Sequence, residues 1–147
     1  MTPKPVAFVE IVGSGSVLMG RCEERGETVV VVNWTSDAGG SARIHIDTPI
    51  TGVLHTLRTK PSGSAVPTDL YDITWEDALE RDILNTNGAN RSMNTVQEVP
   101  LYTVLSNAAT VREVNGPTVF KVANAGASKS GVAVLRLKDR DIVLERI

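Results

Sequence analysis

Cysteine is nearly absent: Cys22 stands alone in 147 residues. An intrachain disulfide is excluded, and so is a cysteine metal cluster. Nothing marks Cys22 as a nucleophile, and a small half-buried side chain on a strand fits its setting. Histidine is almost as scarce, with only His45 and His55. Together with Asp47 they could offer three metal ligands. Zinc sites show tighter ligand pairs, so the expectation is exposed strand histidines and no metal. Aromatic residues make up 4%, few for a sugar-binding face or a glycosidase cleft. No basic excess exists: 15 Lys and Arg against 17 Asp and Glu give a net charge of -2. Nucleic acid held by counterion release is not expected. No apolar run approaches the ~20 residues of a membrane span. Met1-Thr2-Pro3-Lys4-Pro5 lacks the long apolar stretch of a signal peptide. The expectation is a soluble protein, made in a cytoplasm and without membrane partners.

What is present reads as ordinary globular composition, 41% hydrophobic and 22% charged. The length suits one domain spanning 1–147, large enough for a core of its own. The texture is β. Val6 to Val12 ends at the turn cluster Gly13-Ser14-Gly15-Ser16, and Val17 to Cys22 follows. Glu27 to Trp34 holds four consecutive valines, which favours a strand buried on both faces. Arg43-Ile44-His45-Ile46-Asp47 alternates strictly and suits a half-buried strand. Gly52 to Thr59 is another strand, stopped by Pro61-Ser62-Gly63-Ser64, and Leu70 to Trp75 one more.

From Trp75 to Asn85 the pattern is double. Trp75, Leu79 and Ile83 recur at helical spacing, and Thr74 with Asp77 resembles a capping box. Two short strands around a tight turn fit nearly as well. Asn85 to Ser92 is a polar loop, and Val96 to Leu105 is irregular around Pro100. Val111 to Val114 and Thr118 to Ala123 read as strands around Asn115-Gly116-Pro117. Val132 to Lys138 and Ile142 to Ile147 read as a terminal hairpin. The sum is an all-β sandwich, jelly-roll or Ig-like, of about nine or ten short strands with at most one short helix.

Candidate chemistry is thin. Gly13 to Ser16 and Gly126 to Gly131 could present amides to a phosphate. The first lacks a lysine, the second has Lys129-Ser130-Gly131 in the wrong order for a P-loop, and both lead into strands. Chain reversal is the better reading of each. Asp72, Glu76, Asp77, Glu80 and Asp82 form an acidic cluster without aromatic neighbours, with Arg81 interleaved. That describes an ion-pair rim more than a glycosidase pair or a calcium site. The acceptor patterns Asn33-Trp34-Thr35 and Asn90-Arg91-Ser92 carry little meaning without secretion. Trp34 and Trp75 each end a strand run; either is core or, if exposed, an anchor for a partner protein.

Trp34-Thr35-Ser36-Asp37-Ala38, Thr48-Pro49-Ile50-Thr51-Gly52, Tyr71-Asp72-Ile73-Thr74, Gly88-Ala89-Asn90-Arg91-Ser92 and Asn124-Ala125-Gly126-Ala127-Ser128-Lys129-Ser130-Gly131 occur in this order. The set resembles a family of small proteins encoded among virion structural genes of tailed bacteriophages, over roughly residues 28 to 137. The resemblance implies a non-enzymatic virion structural protein. Capsid decoration, as a cement protein on the capsid exterior, is the leading role, and a neck or tail position the alternative. It implies the major capsid protein and further copies of itself, as a trimer, for partners. Neither a cofactor nor a catalytic residue is implied. Interface candidates are Trp34, Arg91 and Lys129, the last pointing outward from a turn. A carbohydrate-binding attachment domain is a further alternative and calls for exposed aromatics. A small hydrolase using Cys22 or the acidic cluster is the third class.

Overall fold

The computed structural model describes residues 2–101, the backbone of 103–105 and 108–110, and residues 113–139. The strands are β1 (Lys4–Pro5), β2 (Phe8–Val12), β3 (Ser14–Cys22), β4 (Glu27–Thr35), β5 (Ala42–Pro61) and β6 (Asp72–Glu76). They continue with β7 (Gln97–Pro100), β8 (Thr103–Leu105), β9 (Ala108–Thr110), β10 (Glu113–Ala123) and β11 (Ser130–Lys138). A 3-10 turn, Glu23–Arg25, links β3 to β4 and closes on Gly26 in the left-handed region. The fold is all-β.

β5 organises everything else. It runs for 20 residues and belongs to both halves of the molecule. Its first part pairs with β10 along Ala42–Val53 and with β2 along Arg43–Ile46. Its second part pairs with β11 along Val53–Pro61 and with β7 along Thr56–Thr59. Beyond β11 the sheet continues through β4, β3 and β1, and beyond β10 it ends at β6. Every pairing is antiparallel.

The sheet folds over so that both halves bury their inner faces in one core. Val17, Val30, Val32 and Trp34 come from β3 and β4; Ile44, Ile73, Trp75, Phe120 and Val122 come from β5, β6 and β10. The rings of Trp34 and Tyr71 meet across the interior at 5.5 Å. Trp75 and Phe120 pack edge to face at 5.1 Å, a favoured aromatic geometry. The Trp75 indole donates to Thr118 Oγ1 at 2.9 Å, which satisfies a buried N–H.

Two expectations need correction, and of the two readings of Trp75 to Asn85 the tight turn is the one found. Arg43–Asp47 and Gly52–Thr59 are one strand. The Thr48-Pro49 interruption is absorbed where the ladder with β10 steps from Ile46↔Thr118 to Ile50↔Gly116. Proline is tolerated at such a bulge because no ladder hydrogen bond is needed there. The same step takes up Pro117, so Asn115-Gly116-Pro117 is a bulge inside β10 and not the turn of a hairpin. Trp75 to Asn85 is not helical. β6 ends at Glu76 and a tight turn brings Asp82 back to pair with it, leaving Trp75 and Ile83 buried but Leu79 71% exposed. Asp77 enforces that turn by accepting from the Leu79 and Arg81 amides.

The valine run is covered unevenly. Val30 and Val32 are fully buried and Val29 nearly so, while Val31 is only half-buried. The partner strand of the expected terminal hairpin, 142–147, lies outside the described residues. β11 itself is hydrogen-bonded along both edges, by β4 and by β5.

Candidate functional site

Asp72 ties together three of the five segments that carried the resemblance: its own, 88–92 and 124–131. Its Oδ1 accepts from the Asn90 amide at 2.9 Å, and its Oδ2 accepts from Asn124 Nδ2 at 2.8 Å. Tyr71 and Arg91 form a backbone bridge. The Ile73 amide donates to Gly88 O at 2.8 Å. A side chain at Gly88 would press on the Ile73 carbonyl, so glycine is what lets the loop lie against β6.

The turn 124–129 docks on the loop 36–41 in the same manner. Ser36, 3% exposed, donates through Oγ to Gly126 O and accepts from the Lys129 amide at 2.9 Å. Asp37 Oδ1 accepts from the amides of Gly39 and Ser41. Asn124, Gly126 and Ser128 all take positive φ. The stretch is a chain reversal, as its composition suggested.

The interface candidates separate. Trp34 is 1% exposed and belongs to the core, so its side chain is not a surface anchor. The glycines opposite it are Gly15 and Gly131, its cross-strand partners; Gly131 makes room for the indole, and Gly15 lies against the Asn33 carbonyl and Ile44. Arg91 is half-buried, its Nε and Nη2 donating to Ala89 O. Its Nη1 is buried without a hydrogen-bond partner among the described residues. Burial pushes the Tyr71 phenol up to about 12, with the Arg91 charge and the nearby Thr59 hydroxyl pulling the other way. Lys129 is half-exposed, its stem lying over Gly126, and forms no ion pair among the described residues. Exposed apolar side chains flank Arg91: Leu70, 56% exposed, and Met93, 37% exposed. The Leu70 amide donates to Arg91 O, and the Met93 amide to Asp69 Oδ1. Thr68 then bonds to Ala125 O, so 68–70, 91–93 and 124–129 form one continuous surface.

Other candidate chemistry resolves into structure. Glu76 pairs with Lys121 at 2.9 Å. Asp82 accepts from the amides of Trp75, Leu84 and Thr86. Burial works against ionised Asp77, but the Arg81 and Leu79 amides and the Arg81 guanidinium outweigh it and lower its pKa. His45 and His55 lie on opposite halves of β5. No group of three potential metal ligands occurs among the described residues.

Two features escaped the sequence reading. One is Glu27, 5% exposed, held by Arg136 at 3.1 Å and Lys138 at 2.7 Å from the far end of the chain. Burial alone would raise its pKa; the hydrogen bonds and charges of Lys138 and Arg136 reverse that and lower it. The other is a groove of about 650 Å³, where Ser14–Ser16, Asn33–Thr35, Lys60–Gly63 and Ser130–Val132 converge. The small polar clusters that form it were visible one at a time, each as a turn.

No family model matches the chain, and no curated protein does. Among solved structures, the chain is similar to CapF with the inhibitor 3-isopropenyl-tropolone. That match has 11% identity over 92% of this chain and 32% of that one, with a TM-score of 0.27. It is also similar to the capsular polysaccharide assembling protein CapF from Staphylococcus aureus. There the identity is 11% over 92% of this chain and 30% of that one, again with a TM-score of 0.27. This chain thus spans about a third of the CapF chains, and a likeness at this level transfers neither fold nor function.

Proposed function

We propose that the chain is a non-enzymatic structural protein of a tailed-bacteriophage virion. It is made in the host cytoplasm and decorates the exterior of the capsid. Its partners are the major capsid protein and further copies of itself, arranged as a trimer. The observation that carries the reading is the convergence at Asp72. Three of the segments behind the resemblance bond to one another through Asp72, the Asn90 amide and the Asn124 side chain. What they build is a stiff surface with Leu70 and Met93 outward beside Arg91, and Lys129 half-exposed. A cement role calls for such a surface: apolar contact for a neighbour, with cations at its margin to orient an acidic partner. Symmetric assembly then repeats a modest contact many times.

The test is the copy number and position of the chain in purified particles, by cryo-electron microscopy with imposed and then relaxed symmetry. Density at three-fold and local three-fold positions over the whole shell is the expected outcome. Density confined to the tail axis moves the chain to the neck or tail. Absence from the particle overturns the structural role altogether.

A further inference from the structure

The groove between β3, β4, β11 and the end of β5 is built from two cross-strand rows. Ser14, Thr35 and Ser130 stand side by side in the first. Ser16, Asn33, Val132 and Lys60 stand side by side in the second. Adjacent members of a row are about 4.8 Å apart, the strand spacing. Five of these seven side chains are neutral hydrogen-bonding groups no larger than asparagine. Glu10 and Pro61 line the groove beside these rows. Local bonds orient the rows: Asn33 Nδ2 donates to Ser16 Oγ at 3.2 Å, and the Thr35 and Ser130 hydroxyls bond at 2.9 Å. Each hydroxyl and amide has capacity beyond these contacts. Trp34 stands between the rows with its indole turned to the opposite face of the sheet, into the core, so it adds only backbone to the groove.

We infer that this groove binds a neutral, hydroxyl-rich ligand, a short segment of glycan. The charge balance selects that chemistry. Glu10 and Lys60 are the charged residues among its lining and cancel in sign, so neither a phosphate nor a sulfated chain gains from entering. The large buried rings of Trp34, Tyr71, Trp75 and Phe120 offer no stacking platform. Recognition therefore rests on hydrogen bonds that compete with water, and single-site affinity is weak. Many copies on one surface would raise it by avidity.

The experiment titrates the ¹⁵N-labelled full chain with cellotetraose, maltotetraose and mannotetraose. At least one of them should shift the amides of 14–16, 33–35, 60–63 and 130–132, with a Kd on the order of 1 mM. Asn33→Ala should weaken that binding about tenfold while the spectrum stays dispersed. Ser16→Leu, which fills the groove and leaves Asn33 in place, should abolish it and decides the matter if Asn33→Ala fails to fold. The inference is overturned if no neutral tetrasaccharide shifts these amides at tens of millimolar, if the shifts map elsewhere, or if Ser16→Leu binds like the parent. Tighter binding of a hyaluronan tetrasaccharide overturns it as well.

Discussion

The indole of Trp34 fills the space that a side chain at Gly131 would need. A methyl group at residue 131 would stand 2.6 Å from Trp34 Cζ2 and 2.9 Å from Cε2. Residues 34 and 131 are direct partners on β4 and β11, so the large ring and the missing side chain form one packing unit. Gly131→Ala should destabilise the fold by about 2 kcal/mol through overpacking. Urea unfolding followed by tryptophan fluorescence measures this, and an unchanged midpoint would refute the pairing.

Glu27 gives the pH prediction. Its folded-state pKa is lowered, so its contribution is complete above the unfolded-state value of about 4.3. It disappears as pH falls through the lower folded-state value. Glu27→Gln should cost about 2 kcal/mol at pH 7, because Arg136 and Lys138 lose a buried partner. The variant should also lose less stability than the parent between neutral and acid pH. Thermal unfolding of both proteins across that range tests it; parallel curves would remove Glu27 from the account.

At Asp72 the prediction concerns order as well as stability. Asp72→Ala frees the Asn90 amide and the Asn124 side chain and should cost about 1–2 kcal/mol. Amide exchange should accelerate first at 88–91 and 124–128, with β4 and β11 unaffected. Uniform acceleration along the chain would show that Asp72 holds no local structure.

Thr118→Val removes the acceptor of the buried Trp75 indole with little change of shape. The orphaned N–H should cost about 1–3 kcal/mol, although the Trp75–Phe120 contact survives. Chemical denaturation measures the loss. Near-native stability would mean that the indole finds another acceptor.

Much of the architecture was legible in the sequence because alternation and turn residues report local structure. Ile44 and Ile46 face inward while Arg43 and His45 stay half-buried on the other side, as their alternation requires. Asn124 to Gly131 turns the chain where its glycines and polar residues indicated. What failed was punctuation. Pro49 and Pro117 look like strand ends, yet they sit at a single step in the ladder between β5 and β10, and only the pairing reveals a bulge. Trp75, Leu79 and Ile83 satisfied a helical period by coincidence; the turn set by Asp77 overrode it. Trp34 offered both a core and a surface reading, and the choice depended on Gly131, far away in the chain. The groove was hidden for the same reason. Its polar clusters are remote from one another in sequence and become neighbours only through the order of β3, β4, β11 and β5.

β11 lies at the centre of the sheet, between β4 and β5. During synthesis those two strands emerge long before their shared neighbour and must wait with unpaired edges until residues 130–138 have been translated. Edges of that kind are sticky, and pairings so distant in sequence form slowly. The sheet therefore cannot close until residues 130–138 are available, and a chain interrupted before residue 130 keeps the facing edges of β4 and β5 open to aggregation.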